Sequence, residues 1–104
     1  LYMFEIGKKT YVLKYNMKRV ELIENTVGMP MMAELGTHRG MLGLTSLKTY
    51  FAYGLKEEGS DTFVKPKKGM EMAEALIENE GYMKVNGAVL EALERDCPFF
   101  FLDA

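Results

Sequence analysis

The chain has 104 residues, a net charge of −2, 48% hydrophobic residues and 27% charged ones, a balance that suits one domain and excludes a disordered polymer. A compact chain of this length buries roughly 65% of the surface its unfolded form exposes, enough for one modest core. No basic footprint for a phosphate backbone is present, and no apolar run approaches the ~20 residues that span a bilayer.

In chain order, Leu1-Tyr2 stand before Met3, which points to Met3 as the natural first residue, with no charged-then-apolar leader ahead of the fold. Phe4 to Tyr15 alternate on either side of a glycine. Gly7-Lys8 fits a two-residue turn with glycine first, a type whose twist suits a hairpin. That turn sets Phe4 opposite Tyr11 and Glu5 opposite Thr10. Phe4, Ile6, Tyr11, Leu13 and Tyr15 then share one face, and Glu5, Thr10 and Lys14 the other. Two strands are marginal alone, so the apolar face needs helices and at least one edge stays open.

Asn16 is the expected N-cap of a first helix whose stripe is Met17, Val20, Ile23 and Val27, closed by Gly28. The middle, Met29-Pro30-Met31-Met32-Ala33-Glu34-Leu35 followed by Gly36, Gly40 and Gly43, has room for one short helix after Pro30 and then an irregular, mobile loop. A second clear helix starts at Thr45 or Ser46 and carries Leu47, Tyr50, Phe51 and Leu55. Gly54 lies on that stripe, and a close helix–helix crossing there would account for it. The segment from Glu57 to Lys68 reads as a polar connector with Phe63 and Val64 tucked inward, and Lys65-Pro66-Lys67-Lys68 as its solvated end.

The next helix carries Met70, Ala73, Leu76 and Ile77 and ends at Gly81. The last carries Tyr82, Val85, Val89, Ala92 and Leu93 and ends before Pro98. Asn86-Gly87 allows a turn, but the apolar spacing continues through it and favours helix. The expected fold class is therefore α+β, mainly α. In it a hairpin over about 3–15 packs on a bundle of about four helices, over about 16–27, 45–57, 69–80 and 82–96, in a single domain of 1–104.

Chemistry is sparse. His38 is the one histidine and Cys97 the one cysteine, so neither a disulfide nor a four-ligand zinc site can be built within the chain, and a reducing compartment is expected. Gly36-Thr37-His38-Arg39-Gly40-Met41-Leu42-Gly43 matches neither the phosphate-loop nor the dinucleotide spacing. We expect no catalytic residues, cofactor or metal.

Apolar surface is the stronger signal. Nine methionines are present, and Met29, Met31, Met32 and Met41 lie in the middle segment rather than on a regular stripe; thioether chains adapt to irregular apolar partners. The chain then reaches Phe99-Phe100-Phe101-Leu102. That cluster either folds back on the core, covers a neighbouring subunit or leads into a longer chain. Met29, Met31, Met32, Leu35, Phe99, Phe100, Phe101 and Leu102 are thus the candidate self-assembly or partner-binding residues.

Three stretches carry a family resemblance: Met3-Phe4-Glu5-Ile6-Gly7 through Gly28; Gly43-Leu44-Thr45-Ser46-Leu47-Lys48-Thr49-Tyr50-Phe51-Ala52-Tyr53-Gly54-Leu55; and the pair Ala73–Asn79 and Val85–Leu93. Together, over about residues 3 to 96, they resemble the tail assembly chaperones of long-tailed phages and gene transfer agents. The resemblance implies a protein of the bacterial host cytoplasm that self-associates, plausibly as a spiral. It implies a protein that coats the tape measure protein until tail tube subunits polymerise, and that is absent from the mature virion. Its partners would be itself, the tape measure protein and the tail tube protein, with no nucleic acid and no membrane. The alternatives are a small cytosolic adaptor binding a partner helix, or an enzyme subunit using Arg39, His38 and Cys97.

Overall fold

The computed structural model describes residues 2–102. It is α+β and mainly α, in the order β1 (Met3–Ile6), β2 (Lys9–Leu13), α1 (Met17–Val27), α2 (Met31–Thr37), α3 (Leu44–Gly54), β3 (Leu55–Glu57), α4 (Pro66–Glu80) and α5 (Tyr82–Asp96), then a 3-10 turn at Pro98–Phe100. The hairpin has the expected register, with Phe4 opposite Tyr11 and Glu5 opposite Thr10, and Gly7 takes the positive φ (66°) that its turn requires. Alternation then does its work: Phe4, Tyr11, Leu13 and Tyr15 are buried, while Glu5 and Lys14 face water.

The sheet has three strands where the sequence indicates two. β3 pairs antiparallel with β2, placing Leu13 beside Leu55 and Tyr11 beside Glu57. The second long helix therefore ends at Gly54, not near 57, and the chain passes straight into a strand. Its three residues are too few and too polar to show period-two alternation. Pairing with β2 and a cover from Phe63–Val64 decide their state; the Val64 amide donates to the Leu55 carbonyl at 2.8 Å. With order β1-β2-β3, the outer edge of β1 has no strand beside it among the described residues.

α1 begins and ends as its sequence dictates. The Asn16 side chain accepts from the Arg19 amide at 2.8 Å, and Gly28 closes the helix at φ 84°. α3 is the central element, buried along most of its length and packed against α1, α4, α5 and β2. Phe51 meets Phe4 of the sheet edge-on, with ring centroids 5.2 Å apart.

Two glycines on these helices mark contacts too close for a methyl group. A Cβ on Gly54 would stand 2.5 Å from Cζ of Tyr15, so the close approach there is made by an aromatic ring and not by a crossing helix. The close helix–helix crossing lies instead at Gly69, where a Cβ would come within 2.8 Å of the Ala52 backbone. α4 accordingly starts at Pro66, three residues before the predicted 69. Pro66, Lys67 and Lys68 form its first turn and are not a linker, with proline at a position where no amide partner is needed. α5 runs unbroken through Asn86-Gly87, as its apolar spacing indicates.

Candidate functional site

The methionine-rich middle forms one short helix directly after Pro30, as expected, followed by an irregular segment tied down by hydrogen bonds. α2 is pinned to α1, because the Met31 amide donates to Oε2 of Glu24 at 2.7 Å. The segment after α2 bends through two left-handed residues, Arg39 (φ 55°) and Gly40 (φ 82°). Asn86 holds that bend: its Nδ2 donates to the Gly40 carbonyl at 3.0 Å and its Oδ1 accepts from the Leu42 amide at 3.2 Å. The Tyr82 hydroxyl adds a bond to the Leu42 carbonyl at 2.5 Å, and Leu42 is buried. One buried amide on α5 thus organises a loop more than forty positions away in sequence.

This ordering splits the predicted middle cluster. Met31 has no exposed surface and Leu35 is buried, so both belong to the core and neither is offered to a partner. Met29 and Met32 stay exposed, and Met41 and Leu44 lie exposed further along the same segment. Helical geometry explains the division. Residues 31, 34 and 35 share the inward face of a short helix, while 32 and 33 point outward.

Beneath this region two polar atoms are buried without a hydrogen-bond partner, Oε1 of Glu34 and the Tyr50 hydroxyl; the other Glu34 oxygen accepts from the Gly43 amide at 3.3 Å. Burial, reinforced by the Glu24 and Glu34 carboxylates, pushes the Tyr50 hydroxyl far above its ordinary range, so it stays neutral.

The C-terminal aromatic segment leaves a rigid root. The Tyr15 amide donates to Oδ2 of Asp96 at 2.9 Å, and Nη2 of Arg95 donates to the Leu13 carbonyl at 2.5 Å and to Asp96 at 2.7 Å. Burial alone would raise the Asp96 carboxyl. The hydrogen bonds from Arg95 and the Tyr15 amide, with the Arg95 and Lys14 charges, outweigh it and hold the group below its usual value.

Beyond that clasp Cys97 is fully buried and Phe100 rests partly buried against the core. Phe99 is 41% exposed, Phe101 43% and Leu102 75%. The Phe100 ring meets both neighbours, with centroids 4.7 Å apart for Phe99–Phe100 and 6.4 Å for Phe100–Phe101. Of the four predicted residues, Phe100 partly folds back while the other three present an apolar face to solvent.

A cleft of about 710 Å³ lies between the hairpin tip and α4, a feature that the sequence did not reveal. Its apolar wall comes from Ile6, Tyr11, Met72, Ala75 and Leu76, and its rim from Lys8, Lys9 and Lys68 with Glu5, Glu71 and Glu80. A smaller depression of about 310 Å³ adjoins it and shares Lys9, Tyr11 and Lys68, adding Lys65, Phe63 and Val64. Exposed Ala75, small and on the outer side of an amphipathic helix, was the one hint in the sequence.

His38 is exposed at the end of α2, whereas the Cys97 thiol is enclosed and pushed up, first by burial and then by Asp96. Among the described residues no group of three or more His, Cys, Asp or Glu is placed to hold a metal ion, and no helix is long and apolar enough to cross a membrane. The chain matches no protein-family model, no curated protein and no solved structure.

Proposed function

We propose that this protein is a non-enzymatic tail assembly chaperone of the long-tailed phage and gene transfer agent type. It self-associates and coats the tape measure protein in the cytoplasm of the bacterial host, hands over to tail tube subunits and stays out of the mature virion. The observation that carries the reading is apolar surface held on a rigid frame. Phe99, Phe101 and Leu102 project from a root fixed by Asp96 and Arg95, while Met32 projects from a helix held by Glu24 and Leu44 follows a bend held by Asn86.

A globular chain keeps contiguous apolar groups in water chiefly where a partner covers them. Methionine and phenylalanine suit a long helical partner whose surface varies along its length. The layout resemblance over about residues 3 to 96 supplies the biological setting. The buried, unactivated state of Cys97 favours a binding role over catalysis.

The test is co-production with a tape measure protein. The chain should keep that protein in the soluble fraction, and the doubly substituted Met32→Asp, Leu44→Asp protein should lose most of that capacity with its helical circular dichroism unchanged. Both positions are exposed, so the fold tolerates the charges. A tape measure protein equally insoluble with and without the wild-type chain refutes the proposal.

A further inference from the structure

α2 is the least secured of the helices. It has seven residues, and no side chain caps its start at Pro30. Gly36 lies inside it with nothing within 4 Å of where a Cβ would stand. Packing does not require that glycine, so the helix simply bears its poor propensity. α1, α4 and α5 each pack along another helix, whereas α2 makes no comparably extended contact with any element.

Its inward face consists of Met31, Glu34 and Leu35. One of these three is a carboxylate only 5% exposed, and it stands in no ion pair among the described residues. Its Oε1 lacks a hydrogen-bond partner, as does the buried Tyr50 hydroxyl, which the Glu34 charge reaches. Closure of α2 therefore withholds water from two polar atoms and gives them no bond in exchange, a cost that opening relieves.

The flanks of the helix are built differently. Gly28 closes α1 at φ 84°, and Arg39 and Gly40 take left-handed angles of 55° and 82°. Just beyond, the Gly40 carbonyl and Leu42 are tied to Asn86 and Tyr82 on α5. Between these fixed points α2 is latched by the Met31 amide on Glu24 at 2.7 Å. A longer bond of 3.3 Å joins Glu34 to the Gly43 amide, and Met31 and Leu35 are its apolar pegs.

We propose that α2 is a strap that swings open as a unit in a minor fraction of molecules, hinged at Gly28–Pro30 and at Arg39–Gly40, while the remaining helices and the sheet stay folded. Opening releases the Glu24 latch and hydrates Glu34 and Tyr50. It adds Met31 and Leu35 to the already exposed Met29 and Met32, so one continuous apolar surface is concealed in the closed form. The motion needs no partner.

Methionine oxidation by hydrogen peroxide, read by mass spectrometry, tests the strap together with amide hydrogen exchange. Met32 is exposed and should react directly; Met31 is fully buried and reacts only when α2 lifts. Met31 and the α2 amides should report opening at least tenfold more frequent than the slowest amides of α3 and α5, which need global unfolding. Glu34→Leu removes the unpaired carboxylate and should slow Met31 oxidation about tenfold. Gly36→Ala should slow it about fivefold through helix propensity, with Met32 unchanged in both. Each substitution strengthens the closed form, so both variants fold.

Met31 that oxidises no faster than global unfolding permits overturns the strap. Fast oxidation of Met31 that neither substitution slows overturns it as well. The chaperone reading is decided separately, by the solubility of the tape measure protein.

Discussion

Replacing Gly54 by alanine probes the junction between α3 and the sheet. The new Cβ would stand 2.5 Å from Cζ of Tyr15 and 2.7 Å from its hydroxyl oxygen, far inside contact distance. The ring has nowhere to retreat. It is buried, its hydroxyl donates to the Tyr50 carbonyl at 2.7 Å, and its amide is held by Asp96. Overpacking costs about 1–3 kcal/mol. Displacing the hydroxyl loses about 1 kcal/mol more. Alanine's better helix propensity returns at most about 1 kcal/mol.

The net is a loss of about 1–3 kcal/mol, which for a domain of this size lowers Tm by about 5–20 °C. Urea unfolding followed by far-ultraviolet circular dichroism measures it, in a cycle with Tyr15→Leu. In the Tyr15→Leu background the clash is gone, so Gly54→Ala should be neutral or slightly stabilising, with a coupling of about 2 kcal/mol between the sites. If Gly54→Ala is harmless in the wild type, or equally costly in both backgrounds, the assigned contact is wrong.

Two further expectations concern the root of the C-terminal segment. Because Asp96 titrates below its ordinary 3.8 in the folded protein, its stabilisation is fully present above that value and fades as pH falls through the folded-state value. Acid unfolding of Asp96→Asn should lack that component, and Asp96→Ala should cost about 1.5–3 kcal/mol at neutral pH, read by urea melts. The buried Cys97 thiol, pushed up by its enclosure, should react with a thiol reagent about a hundredfold slower in the folded chain than in urea, since reaction needs local opening. Equal rates would mean that the segment beyond α5 is not docked as described.

Much of the local structure was legible because its causes are local. The register of the hairpin follows from Gly7 and the alternation around it, and the ends of α1 follow from Asn16 and Gly28. α5 follows from an apolar period that Asn86 and Gly87 do not break. The state of Phe99-Phe100-Phe101-Leu102 was not legible, because the sequence left folding back, a neighbour's cover and a longer chain all open, and packing alone leaves Phe99, Phe101 and Leu102 exposed. Met31 and Leu35 were misjudged for the opposite reason. In a helix of seven residues the inward face is set by its neighbour, here the Glu24 anchor on the Met31 amide, and no repeat within the segment is long enough to reveal it.

What the sequence determined by itself is therefore the inventory of elements whose hydrogen bonds close within a few residues, together with the existence of surplus apolar surface. The tertiary structure decided everything that depends on groups far apart in the chain. It made Leu55–Glu57 a strand because β2 offered pairing, and assigned Gly54 to the Tyr15 ring and Gly69 to the Ala52 backbone. It made Asn86 the peg that orders the segment after α2, and opened a cleft between the hairpin tip and α4 rimmed by lysines and glutamates alike. Contact between such distant groups is fixed by how helices and sheet exclude water together, a property that no single stretch of residues carries.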